Sequence, residues 1–390
     1  MVTGCCRARR RASAGMTLVE LMITLVIGSI VSSGVFMFFV GQRRVYSTQS
    51  KILSIQQNLW GAMDAMTRFA RSAGGGMIGC VRAGDPPPAG DLPPAAGFRA
   101  YRKGPPEQVI RLAPIWIQNG AAGAPDKLTV VFGTGAFGTF SDANLATSVA
   151  SPTDAFSAPD GQGGIFRTND FAILLDNTAT PQGPPVGDRG CTLFQVTSVD
   201  AVTGALGHAG TSTWNATSNI ANLVPFQYVG GATPKAGIRD IGTLNWVEFS
   251  IDSTGAPDIA PRLVMRRLDG VTGPTTAMTL ADGIEDLQIA YACDTDPPPP
   301  GGDGAFSEGT TTGTKKTDEW IFNTAGDVPT ADCNRPQAIR LTLIARSTEP
   351  DTMLTNIATN AKPAVEDGAA GARDTFRHRV LTTTVFPRNR

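Results

Sequence analysis

Glu20 is the residue in this chain whose type and place most need a chemical reason. It is the one charge within Met16–Val40, MTLVELMITLVIGSIVSSGVFMFFV. A carboxylate held in lipid costs several kcal/mol unless it meets a partner, and nothing else in the stretch requires it, so Glu20 is expected to be functional. Other residues that could do chemistry give weaker signals. Gly133-Thr134-Gly135-Ala136-Phe137-Gly138 has the G-x-G-x-x-G form after a predicted strand, but a nucleotide site needs a helix to open there. The chain runs instead through Thr139, Phe140, Ser141 and Asp142 into Ser/Pro-rich sequence, which makes the match a loop. Asp294, Asp296 and Asp303 offer carboxylates to Ca²⁺ in CDTDPPPPGGDG, yet the prolines interrupt any EF-hand order, and a solvated acidic loop is expected. His208 and His378 stand alone, with no nucleophile pattern beside them, so no catalytic constellation, resident metal or cofactor is expected. The basic group Arg373, Arg377, Arg379, Arg388 and Arg390 lacks interleaved aromatics and reads as a solvated strand edge; no specific nucleic acid partner is expected.

The elements around Glu20 narrow its surroundings. The chain has 390 residues, with 33 Lys+Arg against 34 Asp+Glu, a balance that argues against coating nucleic acid. With 44 Gly and 28 Pro, about 18% of the chain, it suits turns and strands better than many helices. The apolar run of 25 residues rises about 37 Å as a helix, enough to cross a bilayer core of about 30 Å. Arg7, Arg9, Arg10 and Arg11 precede it and Arg43, Arg44 and Lys51 follow, a bias that puts the N-terminus in the cytoplasm and the rest across the inner membrane. A cleaved secretory signal would have a shorter apolar core ending in small residues. Here Ala14-Gly15 comes before the apolar run.

Past Val40 the helical beat continues. Val45, Ile52, Leu59 and Met66 recur every seven residues, with Ile55, Met63 and Ala70 on the same face, until Gly74-Gly75-Gly76 stops it. One helix over about 17–72 is predicted, its second half packed on a globular head rather than forming a free coiled coil. The rest predicts strands at Gln108–Leu112, Lys127–Phe132, Phe171–Asp176, Thr192–Val199, Trp246–Ile251, Pro261–Arg267, Leu287–Ala292, Ala338–Ala345 and Leu381–Phe386, with a helical turn at Ala281–Leu287. Asp85–Pro94, Pro181–Gly190 and Asp296–Gly304 read as surface loops. The predicted class is α+β: a long N-terminal helix on an antiparallel sheet-rich head.

The arginine-rich leader followed by Gly15-Met16-Thr17-Leu18-Val19-Glu20-Leu21-Met22 and an apolar helix resembles the class III signal of type IV pilins and pseudopilins. The resemblance implies a type IV pilin-like fold, cleavage between Gly15 and Met16 by the prepilin peptidase, and N-methylation of Met16, where the family more often has Phe. Glu20 would then pair with the terminal amine of a neighbouring subunit, each charge offsetting the other's desolvation. Met63–Gly74 with Ile78-Gly79-Cys80, and the closing runs Ile339–Ser347, Phe376–Arg379 and Thr383–Arg390, are similar to PilW-like minor pilins. This implies a leader at 1–15, a membrane and fibre-core helix at 16–40, its amphipathic continuation at 41–73 and a periplasmic β-rich head at 74–390. It also implies a priming role at the pilus tip with other minor pilins, the major pilin, a tip adhesin and the inner-membrane assembly machinery, in an assembled extracellular pilus.

The alternatives are a GspJ-like pseudopilin of type II secretion, a signal-anchored periplasmic enzyme, and a DNA-uptake tip subunit. Cys5 and Cys6 lie in the leader with no apolar stretch before them, so no lipobox is expected. Cys80, Cys191, Cys293 and Cys333 would face an oxidising compartment and lack the C-x-x-C spacing of zinc sites. Three pairings are open; Cys80–Cys191 with Cys293–Cys333 is favoured, the second closing a loop of about 40 residues worth roughly 3–4 kcal/mol.

Overall fold

The computed structural model describes residues 16–77, 98–103, 107–135, 141–159, 161–176, 191–220, 223–224, 227–232, 236–254, 260–269, 273–274, 276–292, 306, 320–321, 337–351, 361–366 and 368–387. It divides into two compact units, Met1–Leu53 and Ser54–Arg390. Helix α1 (Leu18–Ser72) begins in the first and ends in the second. The glycines stop it as expected: Gly74 and Gly76 take φ of 71° and 79°, a conformation that costs a glycine little.

Strands follow as β1 (Phe98–Arg102), β2 (Gln108–Leu112), β3 (Ile115–Gln118), β4 (Lys127–Thr134), β5 (Ser141–Asn144), β6 (Phe156–Ser157), β7 (Phe171–Asp176), β8 (Thr192–Gln195), β9 (Ser198–Val199), β10 (Ala205–Gly207), β11 (Ala236–Asp252), β12 (Arg262–Asp269), β13 (Gly273–Pro274), β14 (Met278–Asp282), β15 (Ile284–Ala292), β16 (Trp320–Ile321), β17 (Ala338–Arg346) and β18 (His378–Val385). They make an 11-stranded sheet around β11, a small sheet in the order β6-β10-β9 and a four-stranded sheet in the order β16-β15-β17-β18. Nearly all pairings are antiparallel; β1 with β8 is parallel.

The second half of α1 lies in one core shared with both large sheets. Ile55, Leu59, Met63, Met66 and Ala70 are buried with Leu128 and Val130 of β4, Phe249 of β11, Leu287 and Ile289 of β15, and Leu341 and Leu343 of β17. The face predicted from the heptad spacing is therefore the face that packs. Asp126 joins the sheets by polar contacts: its carboxylate accepts the N–H groups of Gly120 and Ile289, at 2.9 and 2.8 Å.

Three expectations are corrected by this topology. The segment Ala281–Leu287 is extended, not helical: β14 ends at Asp282, β15 begins at Ile284, and the chain passes from one sheet to the other at Gly283, whose φ is 76° and whose N–H donates to the Pro261 carbonyl at 2.7 Å. Thr192–Val199 is two strands: β8 stays in the large sheet, while β9 pairs with β10 in the small one. The segment Trp246–Ile251 is the end of a 17-residue strand, β11, whose first part is bent by a register shift at Asp240–Gly242. Asp85–Pro94, Pro181–Gly190 and Asp296–Gly304 lie outside the described residues.

Candidate assembly site

Thr17 caps α1. Its hydroxyl accepts the Glu20 N–H at 3.3 Å, half of a capping box whose signal in the sequence is the Thr-x-x-Glu spacing of Thr17 and Glu20. Glu20 sits in the first turn, where the helix dipole favours an acid. Among the described residues its carboxylate takes no hydrogen bond or ion pair. Met16 and the large apolar side chains from Leu18 to Phe39 are exposed. The Thr17 hydroxyl thus takes one of the first-turn N–H groups without using the Glu20 carboxylate. Gly15 lies outside the described residues.

In the second unit, Asp286 and Gln288 of β15 and Arg340 and Thr342 of β17 meet Lys362, Glu366 and Gly368. Lys362 Nζ meets Asp286 Oδ2 at 2.6 Å, and Asp286 is wholly buried. Arg340 Nη2 meets Glu366 Oε2 at 2.6 Å, while its guanidinium lies 4.4 Å from the Trp320 ring centre. Arg346 stacks on Phe376 at 4.2 Å.

His378 does not stand alone. Its Nε2 is 3.1 Å from Glu285 Oε1 and 3.4 Å from Asp374 Oδ2, with the side chain 5% exposed. Sheet register makes this cluster, since β17 sets Ala345 beside Ile284 of β15 and Arg346 beside His378. His208 is a core residue, 4.4 Å from the Phe156 ring and stacked on Phe194 at 5.3 Å. Its Nε2–H donates to the Asp154 carbonyl at 2.7 Å, and burial pushes its pKa down to about 4.

Gly133 has a packing role. Its N–H donates to the Gly75 carbonyl at 2.8 Å, and Gly74 N–H returns to Val131 at 2.9 Å, so the chain leaving α1 runs along β4. A Cβ on Gly133 would lie 2.6 Å from the Ile241 carbonyl oxygen. Thr134 ends β4, and Ser141–Asn144 is strand β5; residues 136–140 lie outside the described residues.

Of the basic group, Arg377 Nε is paired with Asp351 at 2.7 Å, and Arg373 and Arg379 are exposed. Cys191 is disulfide-bonded and buried. Cys80, Cys293, Cys333, Asp294, Asp296, Asp303, Arg388 and Arg390 lie outside the described residues. Among the described residues no group of three His, Cys, Asp or Glu is placed to hold a metal.

Two family models match the chain. Residues 10–36 match the prokaryotic N-terminal methylation motif, and residues 248–389 match type IV pilus-assembly protein W (PilW). The second match runs from the end of β11 to beyond β18 and takes in the whole four-stranded sheet. No curated protein matches the chain. A type IV-like pilin from Thermus thermophilus overlaps 38% of this chain and 67% of its own at 13% identity, with a TM-score of 0.20, too low to bear on the fold. A methylation motif thus lies on the exposed apolar helix and the stretch similar to type IV pilus-assembly protein W takes in the second sheet, so over these two segments the chain is similar to PilW-like type IV pilins, a kind of structural subunit.

Proposed function

We propose that this chain is a minor pilin, held in the inner membrane by residues 16–40 until it is assembled into a pilus, and acting in a priming complex at the pilus tip. Residues 1–15 are the leader, removed between Gly15 and Met16 by prepilin peptidase, with the new amine of Met16 methylated. Residues 41–73 continue the helix and 74–390 form the head on the periplasmic side. The observation that carries this reading is an acid without a partner among the described residues, Glu20, in the first turn of an exposed apolar helix, inside the segment that matches the methylation motif. An amine at Met16 of one subunit meeting Glu20 of the next removes two desolvation costs at once and sets the stagger between helices. Helix packing then supplies attraction, and the head selects partners: other minor pilins, the major pilin, a tip adhesin and the assembly machinery.

Intact mass of the membrane-extracted chain, with and without prepilin peptidase, tests the processing. Loss of residues 1–15 plus one methyl group, only when the peptidase is present, is expected; an uncut chain in both cases overturns the proposal. Glu20→Ala is expected to leave the head folded and the leader cut while pilus incorporation falls, and normal incorporation would refute the role given to Glu20.

A further inference from the structure

Strand β18 ends the four-stranded sheet and, among the described residues, pairs on one side alone, with β17. Just before it, the Ser347 N–H donates to the Arg377 carbonyl at 2.9 Å. The register then runs from Arg346↔His378 to Ile339↔Val385 without a slip. Bonded and non-bonded pairs alternate in an antiparallel ladder. Residues 379, 381, 383 and 385 therefore turn N–H and C=O toward β17, and His378, Val380, Thr382 and Thr384 turn theirs to the open side. The side chains of Val380, Thr382 and Thr384 are exposed, whereas Leu381 and Val385 belong to the core around α1.

Proteins usually blunt such an edge with Lys, Pro, a bulge or an inward charge. From Val380 to Val385 the sequence is VLTTTV, with no charge, Pro or Gly, and the pairing has no bulge. A flat, uncharged, β-prone edge of this kind recruits another strand unless it is covered. Its ends are basic: Arg379 is exposed at one, and the sequence places Arg388 and Arg390 just past the other. Antiparallel pairing of two copies would bring the Arg379 end of one against the Arg388 end of the other, and parallel pairing would stack like on like, which costs energy either way.

We propose that β18 is a docking edge completed by a strand from the head of a different pilin subunit, one with uncharged β-forming residues in its middle and acidic residues at its ends. This rests on the minor-pilin reading and names how the head takes its partner.

The test uses the full chain in detergent micelles and a synthetic peptide of alternating Thr and Val between Asp/Glu ends, read by residue-resolved amide hydrogen exchange. The peptide is expected to slow exchange at Val380, Thr382 and Thr384 by about tenfold or more and to leave residues 381 and 383 unchanged. Thr382→Pro removes one outward donor and spares the ladder to β17, a place where edge strands tolerate proline. It is expected to weaken the peptide at least about tenfold. Thr384→Asp keeps every amide, repels the acidic ends and is expected to weaken binding more at low salt. A peptide with Lys ends is expected to bind worse than the acidic one. No slowing at millimolar peptide, slowing equal at odd and even positions, or wild-type binding by both variants overturns the proposal. Leader cleavage is measured on the same preparations: a cut, methylated chain that ignores the peptide defeats strand addition alone, and an uncut chain that binds it defeats the pilin reading alone.

Discussion

Replacing Lys362 with Ala tests whether residues 361–366 are held on the second sheet by charge. Lys362 Nζ is 2.6 Å from Asp286 Oδ2, and the side chains are 19% and 0% exposed. Removing one partner of a buried pair costs about 3–5 kcal/mol, because the other charge stays behind without water. Asp286 keeps a hydrogen bond from Gln288 Nε2 at 2.9 Å, which offsets part of that loss, so about 3 kcal/mol is expected. The assay is urea unfolding of the full chain in detergent, followed by tryptophan fluorescence. With a slope of about 3 kcal/mol/M, the midpoint of the head's transition falls by about 1 M. Replacing both partners, Lys362→Met with Asp286→Leu, is expected to recover most of the loss, since the attraction of a buried pair nearly cancels its own desolvation. A loss below about 1 kcal/mol for Lys362→Ala, or a double variant worse than the single, would refute the reasoning.

Met66→Ala deletes a fully buried side chain where α1 meets both large sheets; a loss of about 2–5 kcal/mol is expected in the same unfolding assay. Gly133→Ala forces a Cβ toward the Ile241 carbonyl oxygen and is expected to destabilise by about 1–3 kcal/mol, whereas an unchanged melting curve would leave the glycine without a packing role. For His208 the folded pKa, about 4, lies below the ordinary imidazole value of 6.5, so the folded state binds fewer protons across that window. Its contribution is complete above pH 6.5 and is lost as pH falls toward 4, by at most about 3 kcal/mol. Asp240, pushed up to about 6 by burial, acts in the opposite sense, so the quantity to measure is the stability difference between wild type and His208→Gln against pH. A difference that does not change between pH 4 and 6.5 would refute the assignment.

What the sequence determined by itself is local. Apolar length, an arginine-rich N-terminal stretch, Gly15-Met16 and Glu20 are carried by one unbroken segment, and the seven-residue repeat alone marks the buried face of α1. Strands such as β4, β7, β12 and β17 are readable because their apolar residues are contiguous in the chain. The first part of β11 was not, since Arg239, Asp240 and two glycines do not look like a buried strand. Tertiary partners make it one: Asp142, opposite Arg239 in the register, takes a two-point ion pair at 2.5 and 2.7 Å, and Asp240 accepts the Gly242 N–H at 3.0 Å. His378 reads as isolated for the same reason, because Glu285 is 93 positions away in the chain and comes within 3.1 Å only through β17. The passage between sheets at Gly283 and the close approach at Gly133 depend on Pro261 and Ile241, which no local pattern announces. Periodicity records which face a segment buries, whereas charge pairing, close backbone approach and an open sheet edge are fixed by residues distant in sequence, and only the folded chain decides them.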